Sequence, residues 1–302
     1  RLDGPFVLGR AGIGVFSTLL KGDERAALSL IRYLLRYAEQ WVSGDAEGFD
    51  VELFRTKRRV TPDWSYGWSR GSGPSEILSE ALAALEDWAH EAIEAGRPLE
   101  DVVAQILGDD EISGALLLIV VDLTLSHGST TSSILWDLLC SPEAMSIDAC
   151  RSHRDTADRV TGGMLSSTIE AGNEADKKIK ELLSARPSRA LALHETIPQV
   201  IWSVEETQTQ PLRDRLDAAV KRLGPWDHEN VEWYSPQFIA SHALRQASRE
   251  NYREENVTDE NGQQAKGWSF VWPESQRRWL EAQSSEGAAA QSFFSKALAV
   301  RM

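Results

Sequence analysis

Cysteine is scarce in this chain, since only two of its 302 residues are cysteines. Two cysteines cannot build the set of disulfides that stabilises small secreted domains. Long apolar runs are also missing, because no stretch approaches the ~20 apolar residues that cross a bilayer. These absences exclude a disulfide-rich secreted domain and a transmembrane helix. We therefore expect a cytoplasmic protein without a membrane partner.

Positive charge is in short supply as well, and the formal net charge is -14. Residues 73–160 are the most acidic part, with 4 basic and 17 acidic groups. Phosphate binding depends on clustered lysine and arginine, so a nucleic-acid partner is not expected for the chain as a whole.

Strand patterns are few, whereas apolar residues recur repeatedly at helical spacing. After Asp23, a typical N-cap residue, one such stripe comprises Ala27, Leu30, Ile31, Leu34, Leu35, Ala38, Trp41 and Val42. A second helix is predicted from Gly73-Pro74 to Gly96, and a third contains a run that is apolar on every side from Ala115 to Val121. Helix follows helix with short connections, which predicts an all-α fold.

Two arrangements of an all-α fold are compatible with the sequence: stacked helical hairpins resembling an α-solenoid, or an irregular bundle. Both would have long aromatic loops. We favour the stacked form. The breaker Gly162-Gly163 predicts a boundary between an N-terminal module of residues 1–162, with its acidic middle, and a C-terminal module of residues 163–302. Residues 251–267 are polar and predict a mobile loop or an insertion.

Tryptophan is abundant, with eleven residues, and two aromatic pentads resemble each other. The candidate partner-binding residues belong to these pentads and to the basic stretch before the first: Arg58, Arg59, Trp64, Tyr66, Trp68, Trp268, Phe270 and Trp272. Alternating aromatic rings line one side of an extended segment, and tryptophan and tyrosine dominate interface hot spots. Two alternatives remain open: the rings hold loops onto the helical body, and the arginines contact the acidic module or a nucleic-acid strand.

Signatures of phosphate binding and metal binding are incomplete. Gly9, Gly12 and Gly14 lack the lysine and hydroxyl residue of a phosphate-binding loop. Cys140, Cys150, His153 and Asp155 form the one cluster of metal-ligand types, without a second closely spaced pair. The sequence therefore predicts no cofactor.

Two further groups contain residues of catalytic type. Asp122, Ser126 and His127 supply all three members of a hydrolase triad, although neighbours on one helix point in different directions. His90 has Glu86 and Glu94 one turn to either side, and we expect it on a solvated acidic surface.

Residues 64–154 partly resemble a known group of proteins. The matching residues are Trp68 with Ser72-Gly73-Pro74, the segment from Ala84 to His90 with Glu94-Ala95-Gly96, Val121-Asp122-Leu123, Ser126-His127, Ser141-Pro142-Glu143, Asp148 and Arg151. This stretch resembles a helical region of very large bacterial multidomain proteins described as ATP-binding or as signal-transduction NTPases. The resemblance implies a helical scaffold in a protein of defence or signalling, with nucleotide chemistry elsewhere.

These patterns favour a non-enzymatic helical scaffold. We expect it to bind a protein partner or other domains of the same polypeptide, and the start at Arg1 predicts a piece of a longer chain. Two alternatives are a hydrolase or metal-dependent enzyme using Asp122, His127, Cys150 and His153, and nucleic-acid binding through residues 55–70.

Overall fold

The structure is a computed structural model that describes residues 14–41, 48–61, 63–70, 74–108, 111–161, 186–226, 234–258, 264–274 and 277. Helices account for 70% of these residues. Within the described part, no helix combines the length and apolar character needed to cross a membrane.

Ten α-helices occur among the described residues. In chain order they are α1 (Val15–Gly22), α2 (Glu24–Trp41), α3 (Glu76–Glu94), α4 (Leu99–Leu107), α5 (Gly114–His127), α6 (Ser133–Leu139), α7 (Pro142–Thr161), α8 (Ile197–Ser203), α9 (Gln210–Leu223) and α10 (Pro236–Gln246). Short 3₁₀ helices cover Asp63–Arg70, Pro187–Arg189, Leu193–Thr196, Glu206–Thr209 and Arg249–Asn251.

The chain divides into two compact units. Unit 1 comprises Arg1–Leu138 and Cys150–Ala192, and unit 2 comprises Leu139–Ala149 and Leu193–Met302. The predicted boundary at Gly162-Gly163 lies outside the described residues.

Helix α5 is the centre of unit 1, because every residue from Gly114 to Thr124 is buried. It packs against α3, α4 and the 3₁₀ helix Asp63–Arg70. Its N-terminus is capped by Ser113, whose hydroxyl accepts a hydrogen bond from Ala115 N at 3.2 Å. This confirms the prediction of a helix surrounded by others.

Two predicted helix starts show how capping works in unit 1. Asp23 accepts a hydrogen bond from Ala26 N at 3.0 Å, so it caps α2 as predicted. The next helix begins later than Gly73-Pro74 indicates: its cap is Ser75, whose hydroxyl accepts from Leu78 N at 3.3 Å. A serine side chain satisfies an N-terminal amide that proline cannot, which fixes the start of α3 at Glu76.

The sequence patterns missed an antiparallel hairpin in unit 1. Strand β1 (Phe49–Leu53) pairs with β2 (Thr56–Val60) through the two-residue turn Phe54-Arg55. Both turn residues have positive φ, 54° and 62°. Such turns are usually signalled by asparagine and glycine, so a Phe-Arg turn leaves no hairpin pattern in the sequence.

Unit 2 combines α8, α9 and α10 with a second antiparallel hairpin. Strand β3 (Tyr252–Thr258) pairs with β4 (Gln264–Phe270). The expectation of a mobile loop is therefore wrong for residues 252–258 and 264–267, because backbone pairing orders a polar stretch that has few core residues of its own. Residues 259–263 lie outside the described residues, and the alternative of an insertion stays a prediction. The fold is mainly helical with two small sheets, and the stacking of hairpins stays a prediction.

Candidate functional site

The basic candidates Arg58 and Arg59 lie on β2 and bind within unit 1. Arg58 Nη2 donates to the carbonyl of Gly108 at 2.5 Å, at the end of α4. Arg59 Nη1 lies 3.4 Å from Asp50 Oδ1 on the paired strand. These contacts agree with the intramolecular alternative for the basic stretch.

The first aromatic pentad is helical rather than extended, because it lies inside the 3₁₀ helix Asp63–Arg70. Tyr66 and Trp68 are 4% and 3% exposed, so their rings belong to the core of unit 1. The side chain of Trp64 lies outside the described residues. Because a partner cannot reach a buried ring without opening the core, the expectation of a contact surface at Tyr66 and Trp68 is corrected.

The second pentad begins in β4, as its alternating pattern predicts. The Trp268 ring stacks on Trp202 at a centroid distance of 4.6 Å. Trp272 stacks on His242 at 4.5 Å, and Phe270 meets the same imidazole edge-on at 5.3 Å. These half-buried rings attach the hairpin to α8 and α10, which supports the loop-holding alternative. Their role in partner binding stays a prediction.

A polar cluster lies where α3 packs on α5 in unit 1. Glu86 and His90 follow each other by one turn of α3 and are only 3% and 4% exposed, while Asp122 of α5 is 1% exposed. The expectation that His90 faces solvent is therefore wrong. α3 is covered on more than one side, and the apolar stripe alone does not mark its whole buried surface.

His90 connects two side chains of α5. Its Nε2 lies 3.0 Å from Asp122 Oδ2, and its Nδ1 lies 2.7 Å from His127 Nε2. An ionised carboxylate only accepts, so the proton between them belongs to His90 Nε2. His90 Nδ1 then offers a lone pair toward His127, which ends α5 and is half-buried.

Two arginines near the 3₁₀ helix Pro187–Arg189 neutralise the buried carboxylates. Arg186 Nη1 lies 2.6 Å from Glu86 Oε1, and Nη2 lies 3.2 Å from Asp87 Oδ1. Arg186 Nη1 also comes within 4.0 Å of Asp122 Oδ2, and Arg189 Nη2 lies 3.2 Å from Glu86 Oε1. Paired carboxylates of this kind tolerate burial that an isolated charge would not.

The surroundings of the His127 imidazole favour its neutral form. Burial lowers its pKa, and the neighbouring His90 lowers it further. A neutral imidazole can accept a proton or bind a metal through its lone pair. The chain Asp122–His90–His127 therefore offers a buried carboxylate, an oriented imidazole and a second imidazole nearer to solvent.

Two overlapping groups in this cluster have ligand atoms close enough to hold a metal ion. His90, Glu94 and His127 form one group, and Glu86, His90 and Asp122 form the other. In each group the ligand atoms lie within 4.8 Å of one another. The first extends from a buried histidine to an exposed carboxylate, whereas the second is buried throughout.

The metal-ligand types singled out from the sequence do not assemble in the described residues. Cys140 is half-buried, Cys150 is exposed, and neither joins a group of close ligand atoms with His153 there. The side chain of Asp155 lies outside the described residues. Asp122, Ser126 and His127 do not form the hydrogen-bonded chain of a hydrolase triad. Asp122 and His127 each contact His90 instead.

A second surface of note is the outer side of α2. Leu30, Tyr33, Tyr37 and Trp41 are 40%, 65%, 50% and 73% exposed. The rings of Tyr33 and Tyr37 stack at 6.5 Å, and those of Tyr37 and Trp41 lie 5.9 Å apart. We call these four side chains the aromatic stripe.

The aromatic stripe corrects the predicted buried side of α2. The residues that the structure buries are Ala27, Leu28, Ile31 and Leu35. Leu30 and Trp41, which were expected beside them, face outward. α2 is therefore apolar on both sides, and a broad apolar arc does not by itself show which part meets the core.

No family model and no curated protein matches the sequence. A function must therefore be argued from the residues of this chain.

Proposed function

We propose that the chain is an α-helical interaction module of a larger cytoplasmic multidomain protein, and that the aromatic stripe of α2 binds its protein partner. The observation that supports this is the exposure of three rings on consecutive turns. Large exposed apolar patches are uncommon on monomeric proteins and mark interaction sites. Tyrosine and tryptophan are also the residues that most often dominate binding energy.

The partner that fits the stripe is an amphipathic helix. Leu30 to Trp41 spans about 16 Å at 1.5 Å per residue, which a partner helix of about eleven residues would cover. Apolar side chains of that helix would pack between the rings, in the helix-against-helix manner of many recognition complexes. Arg25 and Arg36 are exposed on the same helix, beyond one edge of the stripe, so acidic residues are expected on the partner's flank.

Site-specific photo-crosslinking tests the proposal. A photoreactive amino acid at Tyr37 is expected to capture one protein in cells that make this chain, whereas the same group at the exposed Ile77 of α3 should not. The captured protein is then purified and its affinity for the chain is measured. Capture of no protein, or of a second copy of this chain alone, would contradict the proposal.

Substitution of the rings gives the quantitative test. Tyr37→Gln and Trp41→Gln keep helix-forming residues at exposed positions, so the melting temperature should change little. Each should weaken binding of the captured protein at least about tenfold, as loss of a hot-spot ring does. Ile77→Gln is the matched control and should bind normally. Equal affinity of the Tyr37→Gln, Trp41→Gln double variant and the unchanged chain would refute a contact at α2.

A second candidate function, an enzyme with a site assembled by the fold, draws support from the contacts of His90 with Asp122 and His127. Such a chain of groups resembles the arrangement in which a carboxylate orients a histidine for proton transfer or metal binding.

A further inference from the structure

The group His90, Glu94 and His127 combines three features of a metal centre. It supplies two imidazole nitrogens and one carboxylate with ligand atoms within 4.8 Å of one another. His90 and Glu94 lie one turn apart on α3, and His127 approaches from the end of α5. The group also opens to water, because Glu94 is exposed while His90 is buried.

The neighbouring group is a poorer choice for an ion. Glu86 already contacts both Arg186 and Arg189, and Asp122 has the Arg186 guanidinium at 4.0 Å. A divalent cation there would compete with two fixed positive charges for the same oxygens. No ion pair described for Glu94 or His127 involves an arginine; the Arg186 charge acts on His127 only as a smaller cause of its lowered pKa. Their side of the cluster also reaches solvent.

We propose that His90, Glu94 and His127 bind one divalent transition-metal ion, with Asp122 as the positioning residue that orients His90. Asp122 accepts from His90 Nε2, which leaves Nδ1 as the ligand atom. Metal-binding histidines commonly donate their other ring N–H to a carboxylate in this way, which fixes the ring and strengthens the ligand. His127 Nε2 donates to His90 Nδ1 when no ion is bound. On metal binding, the His127 proton moves to Nδ1 of the same ring, and the lone pair of Nε2 then completes the nitrogen pair.

The two histidines need a small adjustment to share an ion. Ligand nitrogens on a tetrahedral metal with bonds of about 2.0–2.1 Å lie about 3.3 Å apart. His90 Nδ1 and His127 Nε2 are separated by 2.7 Å, so their rings must part by about 0.6 Å. His127 is the last residue of α5 and is half-buried, which gives its ring room to move.

The donor set identifies the class of ion. Two imidazoles and a carboxylate suit zinc, iron, cobalt and related ions rather than magnesium or calcium, which prefer oxygen ligands. Three protein ligands leave at least one coordination position for water or another molecule. The inference is independent of the aromatic stripe, since the two sites share no residue.

Metal titration of the full chain tests the inference. After treatment with a chelator, the protein is titrated with Zn²⁺ by calorimetry and with Co²⁺ by visible absorption. We expect one ion per chain, with Co²⁺ bands typical of mixed nitrogen and oxygen ligands. Failure of both ions to bind, with the chain shown to be folded by circular dichroism, would overturn the proposal.

Variants at the outer part of the group locate the ion. His127→Ala and Glu94→Gln should each weaken Zn²⁺ binding by more than about tenfold, because each removes a ligand. Glu91→Gln changes another exposed carboxylate of α3 and should leave the affinity unchanged. Cys150→Ser should also bind normally. Loss of binding in Cys150→Ser, or normal binding in both ligand variants, would place the ion elsewhere and refute the proposal.

Asp122→Asn separates a positioning role from a structural one. The amide retains the size of the carboxyl group, but it polarises His90 less. Zn²⁺ affinity should fall by about 10- to 100-fold, while the bound Co²⁺ keeps its ligand number and shows shifted absorption bands. Unchanged affinity and spectrum in the folded variant would remove Asp122 from the proposal.

Discussion

At the scale of single residues, burial keeps two histidines of unit 2 uncharged. His194 and His242 are each 3% exposed, and their ring centroids lie 6.2 Å apart. Burial lowers the pKa of both, and for His242 the value falls to about 3, with His194 as a further cause. The ring of Phe238 stacks on His242, one member of this pair, at a centroid distance of 5.7 Å. The imidazoles therefore act as flat core side chains.

This burial makes stability depend on pH. The unfolded chain binds protons at these histidines below about pH 6.5, whereas the folded chain binds them only at lower pH. Stability is therefore fully present above pH 6.5 and falls as the pH decreases. His242→Phe removes one of these groups and keeps a flat ring. Between pH 6 and 4, the variant should lose less stability than the unchanged chain, by up to about 1.4 kcal/mol per pH unit.

Urea unfolding followed by tryptophan fluorescence at several pH values measures the difference. Ile77→Gln serves as a control, since it alters an exposed side chain of unit 1 without changing a titratable group. Parallel pH dependence of His242→Phe and the unchanged chain would show that His242 is not held neutral.

At the scale of elements, the β1–β2 hairpin carries a turn whose residues do not suit its backbone. Phe54 and Arg55 both adopt positive φ, which costs residues with a Cβ atom about 1 kcal/mol or more. The hairpin forms because other contacts favour it: Phe54 N donates to Asp137 Oδ2 at 3.0 Å, and Val51, Leu53 and Val60 are buried. Tertiary contacts thus override a poor local preference.

Glycine at the second turn position should relieve this cost. Arg55→Gly is expected to raise the free energy of unfolding by about 0.5 to 1 kcal/mol, because glycine tolerates positive φ. Thr56→Gly, one residue later in the strand, is the matched control and should destabilise the chain by a similar amount. Thermal melts of the two variants give the comparison, and a lower melting temperature for Arg55→Gly would contradict this account.

At the scale of the whole molecule, the polar cluster joins parts of unit 1 that are far apart in sequence. Arg186 and Glu86 are separated by 100 residues and lie 2.6 Å apart at their charged atoms. Removing one partner of a buried ion pair leaves the other charge less well compensated, and Arg189 alone among the described ion-pair partners would then remain beside Glu86. The segment around Arg186 therefore contributes to the stability of α3 and α5 without adding much apolar area.

Arg186→Ala should destabilise the chain by about 3 kcal/mol, because Glu86, Asp87 and Asp122 all lose a cationic neighbour. Lys221→Ala, which breaks the exposed pair with Asp217, should cost no more than about 0.5 kcal/mol. Chemical denaturation of both variants measures the two values. Equal effects of the two substitutions would show that the cluster contributes no more than a surface ion pair.

The sequence predicted those features that depend on neighbours along the chain. Helical spacing and capping residues located α2, α3 and α5. Three features depend on distant contacts and were missed: the rotation of α2 toward its core, the hairpin with a Phe-Arg turn, and the burial of His90. No pattern around Glu86 predicts its ion pair with Arg186, which is 100 residues away in the sequence.

Glu86, His90 and Glu94 occupy consecutive turns of α3 and pass from the interior to the surface. The buried Glu86 forms ion pairs that stabilise the fold, whereas the exposed Glu94 can be substituted at little cost in stability. The ion-paired residue and the proposed ligand are thus separated along one line of side chains. A designer could therefore substitute Glu94 while leaving the ion pairs of Glu86 with Arg186 and Arg189 intact.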